Sequence, residues 1–299
     1  MPTKARGSRK KRTPPSKVPA APLGAHISIA GGTHNAPPRA ATIGATAMQI
    51  FTKMANRWAE RACDDGECSQ FHLAVGLTEV REMSAHDSYL INLASPDPIL
   101  RTRSFESFAC ELRRCKSLGL DYLVSHPGNF MDERASGVAR NAESLGAALE
   151  LVDGETVVLM ETTAGSGTAI GASFEEMAQL IELVPSSVRH RVGVCIDTCH
   201  IFAAGYDIVS DYDGVMQRFG DIIGFERLRM MHLNDSKAPL GSRRDRHELI
   251  AEGAIGEAAF RRIMNDSRLS RVAKVIETPK TVPDVTDREM LERLRGYIE

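Results

Sequence analysis

The chain has 299 residues, 42% of them hydrophobic and 25% charged. That is ordinary soluble composition, long enough for two small domains or one α/β barrel and sufficient to bury a large core. No apolar run reaches the roughly 20 residues a membrane helix needs, and the basic start leads into PPSKVPAAP rather than the apolar segment of a secretory signal. These features predict a cytoplasmic protein without membrane contact.

The net charge of −2 conceals an asymmetry. Residues 1–20 carry Lys4, Arg6, Arg9, Lys10, Lys11, Arg12 and Lys17 and no acid. Of the chain's 37 basic and 39 acidic residues this leaves 30 against 39, or −9, for the remainder. Rich in Pro, Ser, Gly and cations, residues 1–22 are predicted to form a disordered basic tail suited to polyanion contact. The folded domain is then 23–299. The six cysteines, at 63, 68, 110, 115, 195 and 199, lack zinc-finger spacing and are expected to be free thiols.

From Leu23 onward, short apolar runs alternate with longer helical patterns. GAHISIA (24–30), ATAMQIFT (45–52), EMSAHDS (82–88) and DYLVSHPG (121–128) read as strands. TVVLMETT (156–163), VGVCIDT (192–198), LRMMHLND (228–235) and AKVIETP (273–279) follow. Helix-like stretches lie between them at 104–120, 137–152 and 173–184, and Ser173 with Glu176 makes the Ser-x-x-Glu capping-box pattern. Eight strands alternating with helices predict an α/β fold, a single parallel (β/α)8 TIM barrel.

The strand ends carry the chemistry. The third ends in His86-Asp87, the fourth in His126, the fifth in Glu161, the sixth in Asp197, the seventh in His232 and the eighth in Glu277. In a barrel these carboxyl ends converge on one mouth, where active sites lie. One buried histidine is ordinarily a hydrogen-bonded core residue, but six metal-competent side chains at equivalent positions are not six accidents. Unpaired, each would cost several kcal/mol, roughly, in desolvation. His200 lies three residues past Asp197, and Asp245-Arg246-His247 has a D-x-H spacing that puts two side chains on one side of an extended loop. Five histidines, two aspartates and two glutamates suit zinc in kind, and in number they suit three ions rather than one.

The residues quoted so far resemble the endonuclease IV family, zinc-dependent AP endonucleases of base-excision repair built on xylose-isomerase-like barrels. The matching motifs are GAHISIAGG (24–32), FTK…RW (51–58), AHDSYLINLASP (85–96), SHPGNF (125–130) and METTAGSG (160–167). GVCIDTCHIFAAGYD (193–207), MHLNDSK (231–237), GSRRDRHELIAEGAIG (241–256) and IETPK (276–280) complete the set. They run in the expected order over residues 23–280.

The resemblance implies three Zn2+ per chain. His86, His126 and Glu161 would hold the first; Glu161, Asp197, His232 and Glu277 the second; His200, Asp245 and His247 the third. It implies cleavage of the phosphodiester 5′ to an abasic site, leaving a 3′-hydroxyl and a 5′-deoxyribose phosphate, and removal of 3′-blocking groups. Glu277 and Glu161 are the expected catalytic carboxylates, with Glu277 orienting the nucleophile. The expected partner is double-stranded DNA with abasic sites or 3′-blocked ends, bound by a monomer. Tyr89 and Leu90 are expected to fill the gap left when the abasic nucleotide is extruded, which costs less than extruding an intact one.

Two positions depart from the family pattern. Asn56 stands where an intercalating arginine is usual, with Arg57 one residue later as the candidate replacement. Ala251 stands where glycine is usual, so a positive φ there would strain the loop carrying Asp245 and His247. The main alternative is a sugar isomerase or epimerase, whose single metal needs only Glu161, Asp197, His232 and Glu277. The five further ligands favour the nuclease over it, and the complete set disfavours a non-catalytic DNA-binding protein.

Overall fold

The computed structural model describes residues 21–299. It contains β1 (Leu23–His26), β2 (Ala47–Phe51), β3 (Glu82–His86), β4 (Tyr122–Ser125), β5 (Val157–Glu161), β6 (Val192–Asp197), β7 (Leu228–His232), β8 (Asp235–Ser236), β9 (His247–Glu248) and β10 (Ala273–Ile276). Eight of these close a parallel barrel in the order β1-β10-β7-β6-β5-β4-β3-β2, while β8 and β9 form a separate antiparallel ribbon. All eight predicted barrel strands are present, each shorter than its apolar run. The basic tail at 1–20 lies outside the described residues. Among those described, no helix is long and apolar enough to cross a membrane.

The helices on the outside are α1 (Ala36–Thr42), α2 (Asp65–Gly76), α3 (Pro98–Leu118), α4 (Arg134–Leu151), α5 (Phe174–Leu183), α6 (Thr198–Ala204), α7 (Tyr212–Ile222), α8 (Gly256–Asn265) and α9 (Val285–Arg295). Their starts follow local chemistry. Asp97 accepts from the Ile99 and Leu100 backbone N–H groups ahead of Pro98, and Ser173 accepts from Glu176 N at 3.2 Å, as its capping pattern predicts.

Alternation along the strands decides what faces where. Ala47, Val124, Leu159, Cys195, Met230, Ala273 and Val275 pack together as the barrel interior. Their strand neighbours Met48, Leu123, Val158, Met160, Val194, Ile196, Met231 and Ile276 join the larger cluster beneath the helices. Two residues beyond interior positions, toward the carboxyl end, stand Gln49, His126, Glu161, Asp197, His232 and Glu277, so the inward column that begins apolar ends in donors. A register shift between Val194 and Cys195 in β6 brings Asp197 level with His232 of β7. At the start of β1 a side chain is impossible: a Cβ on Gly24 would sit 1.7 Å from the Ala47 carbonyl oxygen.

Candidate metal centre

The structure brings all nine predicted ligands to the mouth, in three groups whose donor atoms lie within 4.8 Å of one another. The groups are His86/His126/Glu161, Glu161/Asp197/His232/Glu277, and His200/Asp245/His247. Glu161 is fully buried and central. Its Oε2 lies 3.1 Å from both His86 Nε2 and His126 Nε2, and its Oε1 lies 3.0 Å from His232 Nδ1. Asp245 contributes from a loop, with His200 Nε2 and His247 Nε2 each 3.2 Å from its carboxylate. Asp197 also caps α6, accepting from His200 N at 2.9 Å, so one turn fixes two ligands.

Hydrogen bonds to main-chain carbonyls set the imidazole tautomers, because a carbonyl can only accept. His86 Nδ1–H donates to Asp87 O (2.9 Å), His200 Nδ1–H to Thr162 O (2.8 Å) and His247 Nδ1–H to Glu277 O (3.2 Å). Each ring therefore turns its Nε2 toward the carboxylates at the centre, where giving up a proton would free a lone pair for a cation. His232 is reversed: its Nε2–H donates to Gln49 Oε1 (2.9 Å), and its Nδ1 faces the carboxylates. This is the outer-shell arrangement that orients metal ligands.

The electrostatics point the same way. Burial opposes charge on Glu161, yet His232 and His126 beside it hold it well below the usual carboxylate range. Burial likewise opposes charge on His86, but its bond to Glu161 and the surrounding carboxylates push it up to about 9. His247 is also pushed up to about 9 against burial, chiefly by Asp197 and Asp245. The buried Nε2 atoms of His200 and His247 lie near Asp245 but make no well-aligned hydrogen bond. Four carboxylates crowded with imidazoles whose inward nitrogens converge on them are a donor set for cations once those rings release their protons, and the residues present fit one.

Several further residues contribute, and of these the sequence singles out only Asp87. Gln49, a polar residue inside an apolar strand, donates from Nε2 to Glu277 Oε1 at 2.6 Å while holding His232. Asn234 donates to Asp197 Oδ2 (2.7 Å) and accepts from the Glu277 backbone (2.8 Å), tying two ligands together. His26 Nδ1 lies 3.2 Å from Glu277 Oε1. Asp87 accepts from Ser125 Oγ at 2.6 Å, and burial pushes its carboxyl up to about 7. Cys199 is a free thiol as expected, and its sulfur lies within 4.8 Å of donors on Asp197 and His247.

The Asp245–His247 loop is secured by Asp235, whose carboxylate accepts from the backbone N–H groups of Ser236, Gly253, Ile255 and Gly256 at 2.7–3.2 Å. A Cβ on Gly253 would meet that carboxylate at 2.5 Å. In the same loop Ala251 adopts φ 67°, the left-handed conformation that glycine accepts without strain.

At the lip, Tyr89 is 69% exposed and not part of the core. Its ring stands edge-on to Phe51 with centroids 5.3 Å apart. Leu90 beside it is half-buried and Arg57 is exposed. Arg57 N donates to Met54 O (3.1 Å), closing a turn that Ser88 Oγ grips by donating to Ala55 O (2.6 Å). The β2–α2 and β3–α3 loops, carrying Arg57 and Tyr89–Leu90, are thus joined.

Comparisons with known proteins agree with this geometry. A family profile described as xylose isomerase-like TIM barrel matches residues 37–297. The probable endonuclease 4 of Chloroflexus aggregans is 45% identical over 281 residues, covering 92% of this chain and 97% of that protein. The probable endonuclease 4 of Geobacter sulfurreducens is 43% identical over 280 residues, covering 92% and 94%. The crystal structure of endonuclease IV from Thermus thermophilus superposes with a TM-score of 0.82 at 35% identity, covering 92% of this chain and 99% of that one. A D-tagatose 3-epimerase-like protein, at 16% identity and a TM-score of 0.70, shares the fold alone.

Proposed function

The chain belongs to the endonuclease IV family, AP endonucleases of DNA repair on a xylose isomerase-like TIM barrel, and from that premise we propose how its residues do the work. The substrate is duplex DNA with an abasic site or a 3′-blocked end. The bond broken is the phosphodiester 5′ to the lesion, leaving a 3′-hydroxyl and a 5′-deoxyribose phosphate. The observation that carries the reading is the nine-donor mouth with Glu161 common to two groups. A sugar isomerase of the same fold needs only the Glu161/Asp197/His232/Glu277 group.

In this reading the three groups would hold three zinc ions, which would supply water made nucleophilic at neutral pH and neutralise phosphate charge. With neutral imidazoles the four carboxylates make the mouth anionic, and three divalent cations would reverse that sign toward a phosphate-binding one. Glu277 is oriented for proton handling by Gln49 Nε2 and by its backbone bond to Asn234. Glu161, locked among His86, His126 and His232, fixes the spacing of the first two groups. Tyr89 and Leu90 enter the duplex where the base is missing, and Arg57 approaches from the adjoining loop. The molecule acts as a monomer, since the mouth is complete within one chain.

The test is incision of a duplex with a single abasic site by purified protein without added magnesium, alongside elemental analysis. Cleavage with about three metals per chain, mostly zinc, is expected. One metal per chain, with turnover of a ketose and none of DNA, would overturn the reading. Arg57→Ala should weaken binding to abasic duplex more than to intact duplex; equal loss on both would reduce Arg57 to an ordinary phosphate contact.

A further inference from the structure

Away from the metal centre lies a second group of charges that the chemistry above does not use, with Lys53, Glu111 and Arg114 buried and Glu60 partly exposed. Four residues of α3 lie on one stripe, spaced 103, 107, 111 and 114. Ser107, Glu111 and Arg114 are each no more than 2% exposed. They meet the two ends of the β2–α2 loop. At its start, Thr52 donates to Glu111 and accepts from Arg114 Nε (2.7 Å), and Lys53 Nζ donates to Ser107 Oγ (3.0 Å) and pairs with Glu60. At its end, Glu60 Oε1 accepts from Ser107 Oγ (2.6 Å) and Glu60 Oε2 from Arg114 Nη1 (2.7 Å), which also donates to Arg61 O (2.9 Å). Arg114 Nη2 lies 2.9 Å from Glu111 Oε2.

Two cations and two anions therefore close on one another, and the segment between Lys53 and Glu60 is pinched at its base. What projects is Met54, 62% exposed, then Asn56 and Arg57, with Trp58 under the Arg103 guanidinium at 4.5 Å. Burying ions is a poor way to gain stability, because desolvation offsets the Coulomb attraction. What this charge-balanced chain of pairs does provide is one geometry: Glu60, itself partly exposed, bridges the buried Lys53 and Arg114, and moving it leaves Lys53 without a carboxylate.

We propose that the Lys53–Glu60–Glu111–Arg114 quartet is a clamp that pre-organises the Met54–Trp58 loop for lesion recognition, its members acting as positioning residues. The proposal rests on the reading that this loop meets DNA. A loop held in its bound shape loses less entropy on binding, so the clamp acts on affinity and leaves the metal centre alone.

Trp58 is the chain's single tryptophan and reports on the loop directly. In metal-loaded Glu60→Ala, KM for abasic duplex should rise about tenfold with kcat within about twofold of the parent, as expected when binding geometry rather than chemistry is lost. Metal content should be unchanged, and acrylamide should quench Trp58 fluorescence more strongly. Glu60→Gln keeps the side-chain volume, guards against a misfolded alanine variant, and should move the same readouts less far. An unchanged KM in a variant whose Trp58 has become more accessible would overturn the proposal, as would no change in either readout. If the parent protein fails to incise abasic DNA, the functional reading falls, while Trp58 quenching still decides whether the clamp holds the loop.

Discussion

Both ends of the barrel bury charge, and they do so in opposite ways. At the amino-terminal end, the Arg191 guanidinium donates to the carbonyls of Leu149, Val152 and Thr156 at 2.7–3.3 Å. Lys274 Nζ there donates to Leu269 O (2.8 Å) and Val272 O (3.1 Å). Each cation is spent on main-chain oxygens and offers nothing to a visitor. At the carboxyl-terminal mouth, main-chain carbonyls occupy the outer nitrogens of three imidazoles, and the inner nitrogens are left facing carboxylates. Buried polarity that is fully satisfied by the fold is structural. Buried polarity whose donor atoms converge on a shared space can take a ligand.

The contrast is sharpest at Glu161. Glu161→Ala should lower abasic-site incision by at least about a thousandfold, because a residue common to two donor groups cannot be lost from one alone. Elemental analysis should show more than one metal missing. Retained activity would mean that the mouth is no more functional than the other end. Arg191→Met makes the converse cut: it should cost about 3 kcal/mol of folding stability by leaving buried carbonyls unpaired. kcat on abasic duplex should stay unchanged, as measured by denaturant unfolding and steady-state kinetics on one preparation.

Lys274 tests the same end through pH. Burial lowers its ammonium from 10.5 to about 8. The unfolded chain thus binds a proton that the folded chain has released between those values, and stability rises with pH across that window. Relative to Lys274→Met, the parent should gain about 2 kcal/mol from pH 8 to 10.5; parallel stability curves would show that the lysine is already well solvated. The smallest expected effect lies at the mouth. Ala251→Gly should relieve the left-handed strain while loosening the unfolded chain, a net gain of about 0.5 kcal/mol. Calorimetry would register it as a small upward shift in Tm.

Much of this architecture can be read from the chain because barrel strands are buried on both faces and appear as apolar runs. The donors announce themselves by ending those runs, and Ser173 announces its helix by a local hydrogen bond. Other features depend on distant partners. Gln49 looks like a blemish in ATAMQIFT until β2 is placed beside His232 and Glu277, 183 and 228 residues away. Asn234 and Asp235 follow His232 without periodicity to distinguish them, and β8 and β9 are two-residue strands, too short for any pattern. The α3 stripe of Ser107, Glu111 and Arg114 reads as ordinary helix polarity, since nothing local says that it faces a loop rather than water.

The β8–β9 excursion has a consequence for descent. Glu161, Asp197, His232 and Glu277 belong to strands or their immediate ends, whereas Asp245 and His247 arrive on a segment inserted between β7 and β10, gathered by the Asp235 carboxylate and tied to its surroundings by bonds such as His247 Nδ1–H to Glu277 O. Such a segment can be acquired, exchanged or lost without disturbing a single barrel register. Of the third donor set, Asp245 and His247 travel with this segment, while His200 stays with α6 beside Asp197. Two of that set's three donors can therefore be altered by changing a loop rather than a barrel strand.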